Sequence, residues 1–459
     1  MLATQLAQLL AQPAGVPEAL EVIAGFDAAL VHGFARIGDE QAAALAALAG
    51  AVGGSPLAAP VAAAVDKLGT GSIGPEELSA LAAGRAALLG AAHDALAAQV
   101  DSALGRPRAE WVAGAAGATE PGNLMAGCRS WLQELAITGW RGVDHDLVAA
   151  ADKTIEALWA EPAQRRLAVL LDGLAAELGA SCPVATMARV PAKRWADLWA
   201  RALLLSWRGP ETVVGTPVSG RLLILGVDLH EHGTAVQAQV HGVLEAAGGA
   251  VHRVRVSVSA AKVDTIVGPA IWQLLGAHPR LLQALAEHRA LEVTDLTLTA
   301  GGDLLWQDER AVLGSAADPF ATARIQLAAA TGSAAAPLDR DPVHLAEPVL
   351  LEGYRVKDGA LELDGHRLSL ELDRLPSSGP LTPGLLTGSA ACLGLLRWEA
   401  GHWTLRPLAV RKAVKGVVTD AHAGDWACGP TDPKVVKAQA KSGDSVTVLR
   451  ERAGRLLRK

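Results

Sequence analysis

The strongest pattern of apolar and polar positions in the chain runs from Arg221 to Glu245, RLLILGVDLHEHGTAVQAQVHGVLE. Leu222, Leu223, Ile224 and Leu225 are apolar at both parities, which predicts a strand from Arg221, covered on both faces before it reaches solvent near Glu231. Beyond His232-Gly233 the sequence alternates, with Val236, Ala238 and Val240 facing one way and Gln237, Gln239 and His241 the other, so a hairpin turns there. VHRVRVSVSA, after Ala247-Gly248-Gly249, alternates again, and three sequential strands make an antiparallel meander.

Up to about Trp207 the period is helical. Leu78, Leu81, Leu88, Leu89, Ala92, Leu96 and Val100 recur behind a Pro75-Glu76-Glu77 start suited to a helix N-terminus. Leu147, Val148, Ala151, Ile155 and Leu158 make another stripe, and Trp195, Leu198, Trp199, Ala202 and Leu203 a third, with the tryptophans read as core. Gln41 to Val65 carries no charge, but Gly53-Gly54-Ser55-Pro56 divides it into two helices rather than a membrane span.

After the meander come a helical stretch from Ile271 to His288, broken near Pro279, a strand over Leu291 to Thr299, and a Gly301-Gly302-Asp303 turn into Leu304. Further on, YRVKDGALEL turns at Asp358-Gly359, LELDGHRLSLEL at Asp364-Gly365, and LGLLRWEAGHWTLRPLAV at Glu399-Ala400-Gly401, a spacing that suits a small antiparallel barrel or sandwich. The fold class expected is therefore α+β: an Ala-rich all-helical N-terminal domain followed by antiparallel β-rich domains built from meanders and hairpins. The divisions read as 1–210 helical domain, 211–218 linker, 219–314 central α+β domain, 315–342 linker, 343–431 hairpin domain and 432–459 basic C-terminal tail or helix.

At 459 residues the chain is too long for one ordinary core, and its 50% apolar content excludes a disordered protein. Ala and Arg usage points to a GC-rich bacterial genome. A net charge of -7 without long single-sign blocks gives no nucleic-acid face, so no nucleic acid is expected. Cys128, Cys182, Cys392 and Cys428 lie far apart with no C-x-x-C pair, which suggests reduced thiols in the cytoplasm.

Two stretches carry candidate chemistry. Asp66 to Glu77 resembles an EF-hand calcium loop, with Asp at its first position, Gly71 at the sixth, Ile73 at the eighth and Glu77 at the twelfth. Leu68 stands where the third position needs an oxygen, so a Gly-rich turn between helices is expected instead. Asp228, His230 and His232 share one strand face at the end of a buried run, and two imidazoles two residues apart can share a divalent ion such as zinc that activates water. The D-x-H-x-H run resembles the first metal motif of the amidohydrolase superfamily. The resemblance implies hydrolysis at the mouth of a (β/α)8 barrel, with Asp420 in VVTDAH as a candidate acid.

The strands after this run return antiparallel instead of alternating with helices, and no P-loop, dinucleotide fingerprint, nucleophile elbow or H-E-x-x-H occurs. The expectation is thus a non-enzymatic interaction or scaffold subunit of a bacterial cytoplasmic assembly, without cofactor and with other protein subunits as partners. The metal-dependent hydrolase is the alternative.

Overall fold

The computed structural model describes residues 1–112, 122–208, 215–414, 417–442 and 446–447. Its helical part comprises α1 (Ala3–Leu10), α2 (Val16–His32), α3 (Asp39–Ala51), α4 (Ala58–Gly69), α5 (Pro75–Leu104), α6 (Asn123–Thr138), α7 (His145–Ala149), α8 (Asp152–Ala160), α9 (Arg165–Ser181) and α10 (Ala192–Leu205). The uncharged stretch 41–65 falls in α3 and α4, and no described helix is long and apolar enough to cross a membrane.

α5 organises this half. Pro75 opens it, Glu76 and Glu77 stand at its positive end, and Gly105 closes it in the left-handed region at φ 62°. Its 30 residues span about 45 Å at 1.5 Å per residue. That length lets it serve two cores. Leu78, Leu81, Leu88 and Leu89 pack with Phe26, Trp140, Trp195 and Trp199 among the helices, whereas Leu96, Ala97 and Val100 join a core built mainly by strands.

The first sheet is made by β1 (Gly215–Glu231), β2 (Ala235–Ala246), β3 (Val251–Ala261), β4 (Arg289–Thr299), β5 (Leu304–Leu305) and β6 (Ala311–Ala316), with α11 (Ile271–Leu274) and α12 (Pro279–Glu287) between β3 and β4. Its order is β3-β2-β1-β4-β5, with β6 also on β4, and the expected meander is its first half. β1 starts at Gly215, six residues before the predicted start, so 215–218 pair with β4 instead of acting as a linker. Pairing with β2 begins only at Gly220, which leaves one side of β1 open at Pro217, a place where a strand accommodates proline. Residues 315–342, expected as a linker from their Ala, Gly and Ser content, contain α13 (Pro319–Gln326), whose Phe320 and Ala323 are buried against Leu225, Leu393 and Ala409.

The second sheet holds β7 (Ala346–Glu352), β8 (Arg355–Lys357), β9 (Ala360–Leu363), β10 (His366–Leu370), then after α14 (Pro383–Thr387) β11 (Ala391–Glu399), β12 (His402–Val414) and β13 (Val417–His422). The order is β7-β11-β12-β10-β9-β8, with β13 also on β12; among the described residues of this sheet only β10 and β12 run parallel. All three predicted turns have positive φ at both central residues, 47° and 72° at Asp358-Gly359, 46° and 86° at Asp364-Gly365, and 50° and 84° at Ala400-Gly401. Such turns match the twist of the strands they join. The hairpins thus form one open sheet, not a barrel of their own, and β1 crosses it closely. A side-chain carbon added at Gly226 would lie 2.8 Å from Leu408 Cβ, so glycine is what permits the contact. α15 (Pro433–Ser442) follows, and the basic C-terminal helix expected beyond it lies outside the described residues from 448 onward.

Candidate functional site

The close crossing at Gly226 delivers the next residues of β1 onto the second sheet. Asp228 is buried at 2% exposure, so it is not part of a solvated hairpin tip. Arg406 Nε of β12 forms an ion pair with Asp228 Oδ1 at 2.8 Å, and Arg397 Nη1 of β11 stands 3.7 Å from Oδ2. His230, partly exposed, brings Nε2 to 3.2 Å from Oδ2, an ion contact off the hydrogen-bonding direction. Burial would push the Asp228 carboxyl up, but His230 and Arg406 outweigh it and hold the carboxyl below its ordinary range.

Glu371 completes the cluster. Thr404 Oγ1 donates to Glu371 Oε1 at 2.7 Å, and Arg397 Nε lies 3.6 Å from the same oxygen. Asp228 thus reaches from the first sheet to two guanidiniums of the second, where Glu371 of that same side shares Arg397, an arrangement that ties the two sheets together.

Of the three residues proposed to share a metal, the structure brings Asp228 and His230 together. His232 lies past the end of β1, its Nδ1 3.1 Å from Thr234 Oγ1. A divalent cation at Asp228 would also have to sit against Arg406 and Arg397, which repel it. Among the described residues no group of three or more His, Cys, Asp or Glu is placed to hold a metal ion. Asp420 is engaged by Arg411, at 2.8 Å from Nε and 2.6 Å from Nη2. In the calcium-like stretch, Glu77 is ion-paired with Lys67, Asp66 is in the exposed last turn of α4, and Leu68 is buried in the helical core, which explains an apolar residue at that position.

The second candidate is the strand that carries Asp420. Ala423 N donates to Leu408 O at 2.9 Å, and this bond sets the parity of the β12–β13 ladder. Alternate residues therefore turn their backbone groups outward: Val418, Asp420 and His422. The outward N–H of His422 is taken by Asp425 Oδ2 at 2.9 Å. Among the described residues nothing bonds the outward groups of Val418 and Asp420. Val417 and Val418 are 64% and 57% exposed beside them.

The far end of β13 is anchored. His422 is buried against Phe320, with its ring 4.1 Å from that of His288, and His288 Nε2 lies 2.7 Å from Asp425 Oδ1. Burial first, and His288 second, push the His422 imidazole down to about 4. Arg411 bridges Asp420 to Asp318 at the start of α13, at 2.9 and 3.0 Å, and lies over the Phe320 ring.

Other sheet edges are blunted. Arg106 Nη1 and the Met1 ammonium donate to the Pro348 and Leu350 carbonyls of β7. On β3, Arg253 N and Arg255 N donate to Thr331 O and Gly302 O, both at 2.9 Å. β8 is three residues long with Arg355 and Lys357 exposed, and Arg289 Nε covers Gly314 O of β6 at 2.8 Å. These are the usual ways of keeping an edge from pairing with another chain; along Val417 to Asp420 no described group bonds the outward main chain, and the single charge there, Asp420, is paired with Arg411.

No protein-family model matches the chain, and comparison with curated proteins and with solved structures gives no match. Sequence reading reached VVTDAH only through Asp420. The missed signal was local: three β-branched residues in a row, Val417, Val418 and Thr419, with no lysine or proline among them.

Proposed function

We propose that the protein is a non-catalytic interaction subunit that binds an extended segment of a partner protein by strand addition along β13. The observation that carries this reading is the pair of outward-facing, unbonded backbone positions at Val418 and Asp420 beside two exposed valines. Strand addition draws affinity from such main-chain groups and specificity from alternate side chains. The occupant that fits is apolar and β-branched where it meets Val417 and Val418. Four unpaired cysteines support a reducing compartment, and hence the cytoplasm.

One observation favours the alternative metal-dependent hydrolase: Asp228 and His230 stand 3.2 Å apart. The guanidiniums at the same carboxylate weigh against it.

Selection of displayed peptides against the full chain tests the proposal. It should enrich short segments rich in Val, Ile and Thr that bind the parent and fail to bind Val418→Pro, which removes an outward N–H without touching the β12 ladder. Peptides that bind both proteins equally, or no enrichment at all, would refute strand addition at β13. A concentration-dependent dimer abolished by Val418→Pro would replace the partner with a second copy of the chain.

A further inference from the structure

The open edge of β13 is charged on one side only. Val418 and Asp420 are two residues apart and so lie on the same side of the strand, and Asp420 stands opposite Arg411 of β12. That is the side α13 covers: Arg411 lies over Phe320 and reaches Asp318, the residue that caps α13. Among the described residues Arg411 is the only cation paired with either carboxylate. One guanidinium therefore serves two carboxylates, which leaves one negative charge in excess.

The neighbouring cations do not relieve it. Lys412 stands opposite Thr419 on the other side of the sheet, where a side-chain carbon added at Gly388 would lie 2.9 Å from its Nζ. Arg324, further along α13, is taken by Glu352 of β7 at 2.6 Å. Asp318 keeps 43% of its side chain exposed, so its carboxylate is within reach of an added chain. Two carboxylates alone make no site, but these border the outward main-chain groups of Val418 and Asp420. A strand laid along β13 sets one side chain opposite Asp420 on the same side, with the two Cβ atoms roughly 5 Å apart.

We propose, resting on strand addition at β13, that the added segment is cationic as well as apolar: a Lys or Arg opposite Asp420, two positions from the Val or Ile that meets Val418. The cation reaches Asp420 and Asp318 together and brings the count to two cations for two carboxylates. An acid at that position adds a third carboxylate to the same side and is rejected. The edge thereby selects among β-branched segments by charge.

Selection of displayed peptides against the full parent chain, Val418→Pro and Asp420→Asn tests this, with the affinity of each enriched sequence measured on the synthetic peptide by fluorescence anisotropy. Peptides that bind the parent and fail on Val418→Pro should carry Lys or Arg two positions from a Val or Ile. Replacing that cation by Glu should weaken binding to the parent about tenfold, and binding to Asp420→Asn by less than about threefold. The first of these comparisons changes only the peptide, so it stands whether or not Asp420→Asn folds. Peptides that depend on Val418 but show no basic residue at that spacing, or equal affinity of the cationic and Glu forms for the parent, would overturn the charge rule and leave strand addition in place. Absence of any peptide that depends on Val418 would remove strand addition and the charge rule with it.

Discussion

Asp228→Ala removes the carboxylate that Arg406 holds at 2.8 Å and leaves two guanidiniums, Arg406 and Arg397, facing each other at the sheet–sheet contact. Arg406 is 7% exposed, so water cannot replace the lost partner cheaply. Breaking a buried ion pair from one side costs about 3–5 kcal/mol, because the remaining charge stays buried and uncompensated. His232→Gln, at the exposed turn, should stay within about 0.5 kcal/mol. Urea unfolding followed by tryptophan fluorescence reads both, since Trp398 and Trp403 are in the same sheet as Arg406. Adding Arg406→Met to Asp228→Ala should recover much of the loss, because it leaves only Arg397, which still faces Glu371. Zinc should not shift the parent's transition. A loss below about 1 kcal/mol for Asp228→Ala, or a zinc-dependent gain in the parent, would refute the buried ion pair and favour a metal at this carboxylate.

Acid should weaken the fold in two steps. His241 and His422 are pushed from 6.5 to about 4 mainly by burial, so the stability carried by their neutral forms is complete above pH 6.5 and falls as pH drops toward 4, by roughly 3 kcal/mol each at 1.36 kcal/mol per unit. Thermal unfolding across that window should flatten in His422→Phe; an unchanged slope would count against a neutral buried His422. Glu347, held at about 2 despite burial by Arg108 and Arg253, contributes stability that is lost only below its ordinary 4.5, which places the second step lower. Gly226→Ala should destabilise by about 1–3 kcal/mol through the contact with Leu408, measured by urea midpoint, and a neutral result would mean that β1 does not cross β12 this closely. Gly332→Ala puts a carbon 2.0 Å from Arg253 Nη2, so it should also lower the midpoint, whereas combining it with Arg253→Ala should cost less than the two changes separately.

Much of the fold was legible because its patterns are local. The hairpin at His232-Gly233, the left-handed turn pairs and the stripe of α5 all rest on neighbours within a few residues. The expected linkers show the limit. Small residues mark loops when exposed, but around Phe320 they let α13 lie close under both sheets, and composition does not separate the two cases. The Asp228 cluster shows the same limit for chemistry. The D-x-H-x-H run is visible, but the two arginines that engage Asp228 come from 169 and 178 positions later, brought there by sheet packing. His288 and His422 likewise meet only through the third dimension.

Residue-resolved hydrogen exchange on the free chain and on its complex with a selected β-strand peptide tests strand addition most directly. In the free chain the amides of Val418 and Asp420 should exchange rapidly while those of Thr419 and Ala421, bonded to β12, are protected. On binding, Val418 and Asp420 should slow and the rest of the second sheet should change little. Protection of Val418 and Asp420 already present in a free monomer, or binding that leaves them fast and slows another edge, would contradict the assignment of β13 as the binding strand.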